Sequence, residues 1–81
     1  MGGSQVANAH DEVDARVRVG LNVQELRRAR GYSQEELAHR AEVHQTYLSG
    51  VERGKRNPSV LVLARIAAGL DADLEDLTRR R

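Results

Sequence analysis

The chain has 81 residues, with 13 Lys and Arg against 12 Asp and Glu, two Tyr, and no Cys, Phe or Trp. That length holds one small domain with one core; the missing Cys excludes a disulfide framework or a Cys-based zinc site, and no apolar run approaches the roughly 20 residues of a membrane span. The net charge of +1 hides a basic middle, Arg27 to Arg56, between acidic stretches at Asp11–Asp14 and Asp71–Asp76, which permits a local polyanion site without demanding one.

Residues 1–12 are polar and small, and are expected to form a flexible tail ahead of a folded domain over 13–81. The start, MGGSQVANAH, lacks the basic and apolar regions of a signal peptide, so a cytoplasmic protein is expected. From Val13, the apolar residues Val17, Leu21, Val23, Leu26 and Ala29 fit helical spacing imperfectly, with Gly20 as a candidate break. Gly31 ends this first helix after Arg27, Arg28 and Arg30. SQEELAHRA then opens a second helix with a capping box, Ser33 to Glu36, and buries Leu37, Ala38 and Ala41. A third helix spans about His44 to Arg53 and closes at Gly54. Pro58 disfavours helix at Asn57, Ser59 caps a fourth helix running to about Gly69, and Asp73 caps a short fifth one with Leu74 and Leu77. With Leu, Val, Ile and Ala as its only core formers, the chain is expected to be an all-α, five-helix bundle.

The third helix, inside HQTYLSGVERGKRNPS, has an unusual outer face. With Leu48 at the centre of the buried side, flanked by Val51 and His44, the opposite face carries Thr46, Ser49, Gly50 and Arg53. A solvated face is the simpler alternative, but such faces favour Glu, Lys and Gln for helix propensity. Gly costs about 1 kcal/mol relative to Ala in a helix. Short hydrogen-bonding side chains over bare backbone suit a close approach by something large, and a DNA major groove about 12 Å wide admits one helix. Gly50 is therefore read as a clearance device. Gln45 stands at the helix start, where it can pair with adenine, and the Thr46 methyl suits a thymine methyl. Arg53, Lys55, Arg56 and Asn57 beyond the helix end, and Gln34 with the free N–H groups of helix 2, are placed to hold phosphates.

Other constellations are weak. HDEVD at His10–Asp14 gathers a His and three carboxylates but has no further ligands elsewhere, so it is read as a solvated acidic helix start. His39 and His44 are five apart with a turn between them, and His44 is read as a helix N-terminal or phosphate-facing residue. No His–carboxylate pair surrounds Ser33 or Ser49, and no Gly-rich phosphate loop is present. No catalytic residue, metal, cofactor or small-molecule ligand is expected.

SQEELAHRAEVHQTYLSGVERGKRNPS, with the lead-in VQELRRARGYSQEELA and the follow-on PSVLVLARIAAGL, resembles the helix-turn-helix of the phage repressor and Cro family, also called the XRE family. The resemblance covers about Gly20 to Leu77, and QTYLSGVERGKRNPS is most similar to the small controller proteins of restriction–modification systems. It implies helices 2 and 3 as the helix-turn-helix. Base reading would fall to Gln45, Thr46 and Ser49, with Arg53 or Arg56 contributing, and phosphate contacts to Gln34, Tyr47 and the loop Lys55 to Asn57. The family also pairs an Arg of helix 1 with a Glu near the end of helix 3. These match Arg27 and Glu52, which are expected to pair because an unpaired charge on an inward flank is expensive.

Two positions depart from the family pattern. Its usual Gly or Asn in the turn after helix 2 is Glu42 here, at about 1–2 kcal/mol if that residue takes positive φ. Helix 4 carries Leu61 and Val62 where polar residues are usual, making it apolar nearly all round. The excess is expected to form a dimer interface through Leu61, Val62, Leu70, Leu74 and Leu77. The implied function is a homodimeric transcriptional regulator binding a near-palindromic stretch of double-stranded DNA, as in control of a restriction–modification operon. The alternatives are the antitoxin of a toxin–antitoxin pair and a protein-interaction module that uses the same fold without DNA.

Overall fold

The computed structural model describes residues 9–81, with side chains from Asp14 onward. The described residues form five helices: α1 (Ala9–Ala29), α2 (Gln34–Ala41), α3 (Gln45–Glu52), α4 (Val60–Gly69) and α5 (Leu74–Thr78). Of the tail expected over 1–12, residues 1–8 lie outside the described residues, as do the side chains of His10–Val13; α1 begins at Ala9 rather than Val13. None of these helices is long and apolar enough to cross a membrane.

Gly20 does not break α1. It sits where α1 crosses the end of α3, and a Cβ there would stand 2.5 Å from the Val51 carbonyl oxygen and 2.6 Å from that of Glu52. The absent side chain sets how closely the two helices approach. The poor apolar periodicity has its own cause. Val19, Val23 and Leu26 face the core in helical register, whereas Val17 and Leu21 lie on the exposed side of α1.

The other helix ends obey local chemistry. Ser33 Oγ accepts from the Glu36 N–H at 3.0 Å and Ser59 Oγ accepts from the Val62 N–H at 3.1 Å. The reciprocal half of a capping box is formed at α5, where the Asp73 N–H donates to Asp76 Oδ2 at 3.0 Å. Glu42 takes the left-handed conformation that its position demands, φ 60° and ψ 45°, and Asp71 does the same after α4 at φ 54°.

Leu37, Leu48, Ile66, Leu70 and Leu77 are fully buried and meet in one core shared by α2 to α5 and Val23 of α1. This corrects the expected dimer interface. Leu70 and Leu77 are enclosed by their own chain and cannot face a partner, while Leu74 and Val62 are half-buried against the same core. The chain turns back on itself after α4, so that Leu70 and, on α5, Leu77 close into the common core with Leu37, Leu48 and Ile66. The large apolar residues that stay exposed on α4 are Leu61, at 76%, and beside it Val60, at 66%.

Asn22 is an inward polar residue that the apolar pattern conceals. Its Nδ2 donates to the carbonyls of Leu77 and Arg79, both at 3.0 Å, and its Oδ1 accepts from Arg81 Nη1 at 2.7 Å. Buried and satisfied, it ties α1 to the C-terminal segment.

Candidate nucleic-acid interface

The helix-turn-helix unit is α2, the turn Glu42–His44, and α3. Leu48 and Val51 anchor α3 from behind, both fully buried, and His44 is its exposed N-cap residue without a side-chain capping bond. Turned outward are Gln45, Thr46 and Arg53, with Ser49 half-buried between them. These four share one side of a helix whose far side is locked into the core, an arrangement that presents hydrogen-bonding groups on a rigid support.

The lock at the end of α3 is electrostatic. Glu52 is 4% exposed and Arg27 8% exposed, and the guanidinium grips the carboxylate through two bonds, Nε to Oε2 at 2.6 Å and Nη2 to Oε1 at 3.0 Å. Gln34 Nε2 donates to the same Oε1 at 3.0 Å, and Arg27 Nη1 donates to the Tyr32 carbonyl at 2.8 Å. Both oxygens of the buried carboxylate thus have donors, as a charge in low dielectric requires. Gln34 therefore spends one N–H inward; the amide has a second donor for an incoming group.

Gly50 is not an open gap in this face. It is buried beneath Arg56, whose Cγ would lie 2.8 Å from a Cβ at that position. The Arg56 guanidinium continues over the Tyr47 ring at 5.5 Å from its centroid. The clearance is thus used by the chain's own arginine, which folds back across α3, and not by bare backbone. Wheel geometry could not show this, because Arg56 belongs to the loop and not to the helix. The loop is held close by the Lys55 N–H donating to the Gly50 carbonyl at 2.8 Å and by Gly54 at φ 72°. Lys55, Arg56 and Asn57 are exposed there, at the open end of α3.

On its inner side the loop meets α1, since a Cβ at Gly54 would stand 3.1 Å from Val17 Cγ2. The expected phosphate-holding residues are spread along α3: His44 caps its start, whereas Gln34 reaches Glu52 at its end. Gln34 stands at the start of α2, and Lys55, Arg56 and Asn57 stand beyond α3, with Tyr47 beneath Arg56. Among the described residues no group of three or more His, Cys, Asp or Glu is placed to hold a metal ion.

A buried acid–base clamp behind a short, outward polar helix, preceded by a capped helix and a three-residue turn, defines a helix-turn-helix protein. The Helix-turn-helix family matches residues 23–77, and this chain belongs to it. It is 47% identical over 58 residues to the uncharacterized HTH-type transcriptional regulator y4dJ of Sinorhizobium fredii, covering 72% of this chain and 75% of that protein. Control protein C.MunI of Mycoplasma is 38% identical over 65 residues, covering 79% and 88% of the two chains. Among solved structures, the restriction–modification controller protein C.AhdI of Aeromonas hydrophila superposes with a TM-score of 0.75 at 40% identity, covering 76% of this chain and 94% of that one. These relatives are regulators of transcription and control proteins, not enzymes.

Proposed function

We propose that the chain is a sequence-specific DNA-binding regulator that works in the cytoplasm as a homodimer on a near-palindromic operator. The observation that carries the reading is the outer face of α3. Gln45, Thr46 and Ser49, with Arg53 at the C-cap, stand together on a helix whose end is locked by the Arg27–Glu52 clamp, next to Gln34 and the exposed loop Lys55–Asn57. In this reading Gln45, Thr46 and Ser49 read base edges, with Arg53 at the far end of the groove. Gln34, His44, Tyr47, Lys55, Arg56 and Asn57 hold the backbone.

The exposed apolar strip of α4, led by Leu61 with Val60 and the edge of Val62, supports a two-fold contact. Such a contact would set two α3 helices about 34 Å apart, one turn of DNA. A controller-type role in restriction–modification is supported by the near end-to-end match to C.MunI and C.AhdI. Selection from a pool of random duplexes at moderate salt, together with sedimentation of the free protein, tests both parts. Enrichment of an inverted repeat by a dimer is expected. Enrichment of nothing would sink the DNA reading, and a monomer bound to a single half-site would sink the dimer.

A further inference from the structure

The α2–α3 turn is held from outside the helix-turn-helix. Arg65 of α4 reaches across, its Nε donating to the Ala41 carbonyl at 3.3 Å and its Nη2 donating to the Glu42 carbonyl. These are C-terminal carbonyls of α2, the negative end of the helix dipole, where a cation is favoured. One turn further along α4, Gly69 lets the two backbones approach, since a Cβ there would stand 3.2 Å from the Ala41 N–H nitrogen. Arg65 and Gly69 therefore grip the same helix end.

That end needs a grip. Glu42 occupies a left-handed position that Gly fills at no steric cost, and the chain has no Gly between Gly31 and Gly50. A comparable device holds the other non-glycine left-handed cap, where Arg30 Nε donates to the Leu70 carbonyl at 2.5 Å and Nη2 to the Asp71 carbonyl at 3.3 Å. The two caps open onto different segments. Asp71 leads to α5, whereas Glu42 leads within four residues to Gln45 and Thr46.

We infer that Arg65 is a positioning residue for DNA recognition: it fixes the left-handed α2–α3 turn and thereby sets where the start of α3 presents Gln45 and Thr46. The far end of α3 is fixed by Glu52 and by the Gly20 crossing, so the turn governs the near end. An eight-residue helix is about 12 Å long, and a swing of roughly 20° about its fixed end moves the other end by about 4 Å. That displacement exceeds the tolerance of a direct hydrogen bond to a base.

The inference rests on the DNA-binding reading, and one experiment separates the two. The unmodified chain selects a duplex from a random pool, and its preference for that duplex over a scrambled one is compared with those of Arg65→Ala, Arg30→Ala and Arg65→Ala/Glu42→Gly. Arg65→Ala is expected to lose selectivity about tenfold, as loss of charge-assisted bonds implies, with an unchanged salt slope. Arg30→Ala should keep selectivity within about twofold although it loses a similar pair of bonds. Glu42→Gly should restore most of the selectivity, because Gly takes the left-handed conformation without steric cost and needs no clamp to keep it there. If Arg65→Ala does not fold, Arg65→Lys, which keeps the charge and loses the planar fork, carries the same comparison.

Equal losses in the two arginine variants would reduce Arg65 to a general stabiliser and overturn the inference. So would a salt slope flattened by about 0.9, the mark of a direct phosphate contact, or a failure of Glu42→Gly to rescue. If the unmodified chain prefers no duplex, the regulator reading falls and this inference falls with it.

Discussion

Gly20 and Val51 are separated by less than a side chain's width: a methyl group on Gly20 would lie 2.5 Å from the Val51 carbonyl oxygen. The obstruction is helix backbone, which cannot turn aside as a flexible side chain can. Gly20→Ala is therefore expected to push α1 off the end of α3 and destabilise the fold by at least about 2 kcal/mol, in the range of overpacked cores. Urea unfolding measures it. A loss below about 0.5 kcal/mol, ordinary for a surface position, would refute the tight crossing.

Arg27 and Glu52 should behave as a unit. Arg27→Met leaves a buried carboxylate with Gln34 as its remaining side-chain donor, and is expected to cost about 3–5 kcal/mol. Replacing both, with Arg27→Met and Glu52→Leu together, removes the stranded charge and should recover at least half of that loss. A double-mutant cycle in chemical denaturation checks this. A double variant as unstable as the sum of the singles would contradict the pairing.

Gly50 and Arg56 should couple in sign. Alanine at Gly50 gains about 1 kcal/mol of helix propensity but collides with the Arg56 stem. In the unmodified background the two effects should nearly cancel. With Arg56→Ala already made, the same Gly50→Ala should stabilise by about 1 kcal/mol. Thermal unfolding of the four proteins reads the difference; no coupling would mean that the arginine does not rest on the glycine in solution.

Base-reading and phosphate-holding residues should separate on DNA. Gln45→Ala or Thr46→Ala should cost about 1–3 kcal/mol and relax preference at one base position. Lys55→Ala should weaken all sequences alike and lower the salt slope by about 0.9. Titrations on the selected duplex and its single-base variants, at several salt concentrations, distinguish the two classes. Specificity lost equally from both would show the division to be mistaken.

Much of this molecule is written locally. Ser33, Ser59, Gly31, Gly54 and Pro58 mark helix ends through interactions that span three or four residues, so the boundaries of α2 to α5 are legible in order. Leu48 and Val51 declare the inward side of α3 by spacing, and Thr46 and Arg53 the outward side. The question at Glu42 comes instead from the family resemblance, which places Gly or Asn in that turn, and the backbone answers it with φ 60°.

What the chain could not declare depends on which surfaces meet. Gly20 looks like a helix breaker until the end of α3 is laid against it. Gly50 looks like open backbone until Arg56 folds over it, and Leu70 and Leu77 look surplus until α5 turns back across α4. Arg65 carries no local signal at all, since its partners stand 24 and 23 residues earlier. Helix periodicity and capping are short-range and survive in the linear order of residues. Close approach, burial and long-range hydrogen bonding exist only once separate helices have been brought side by side.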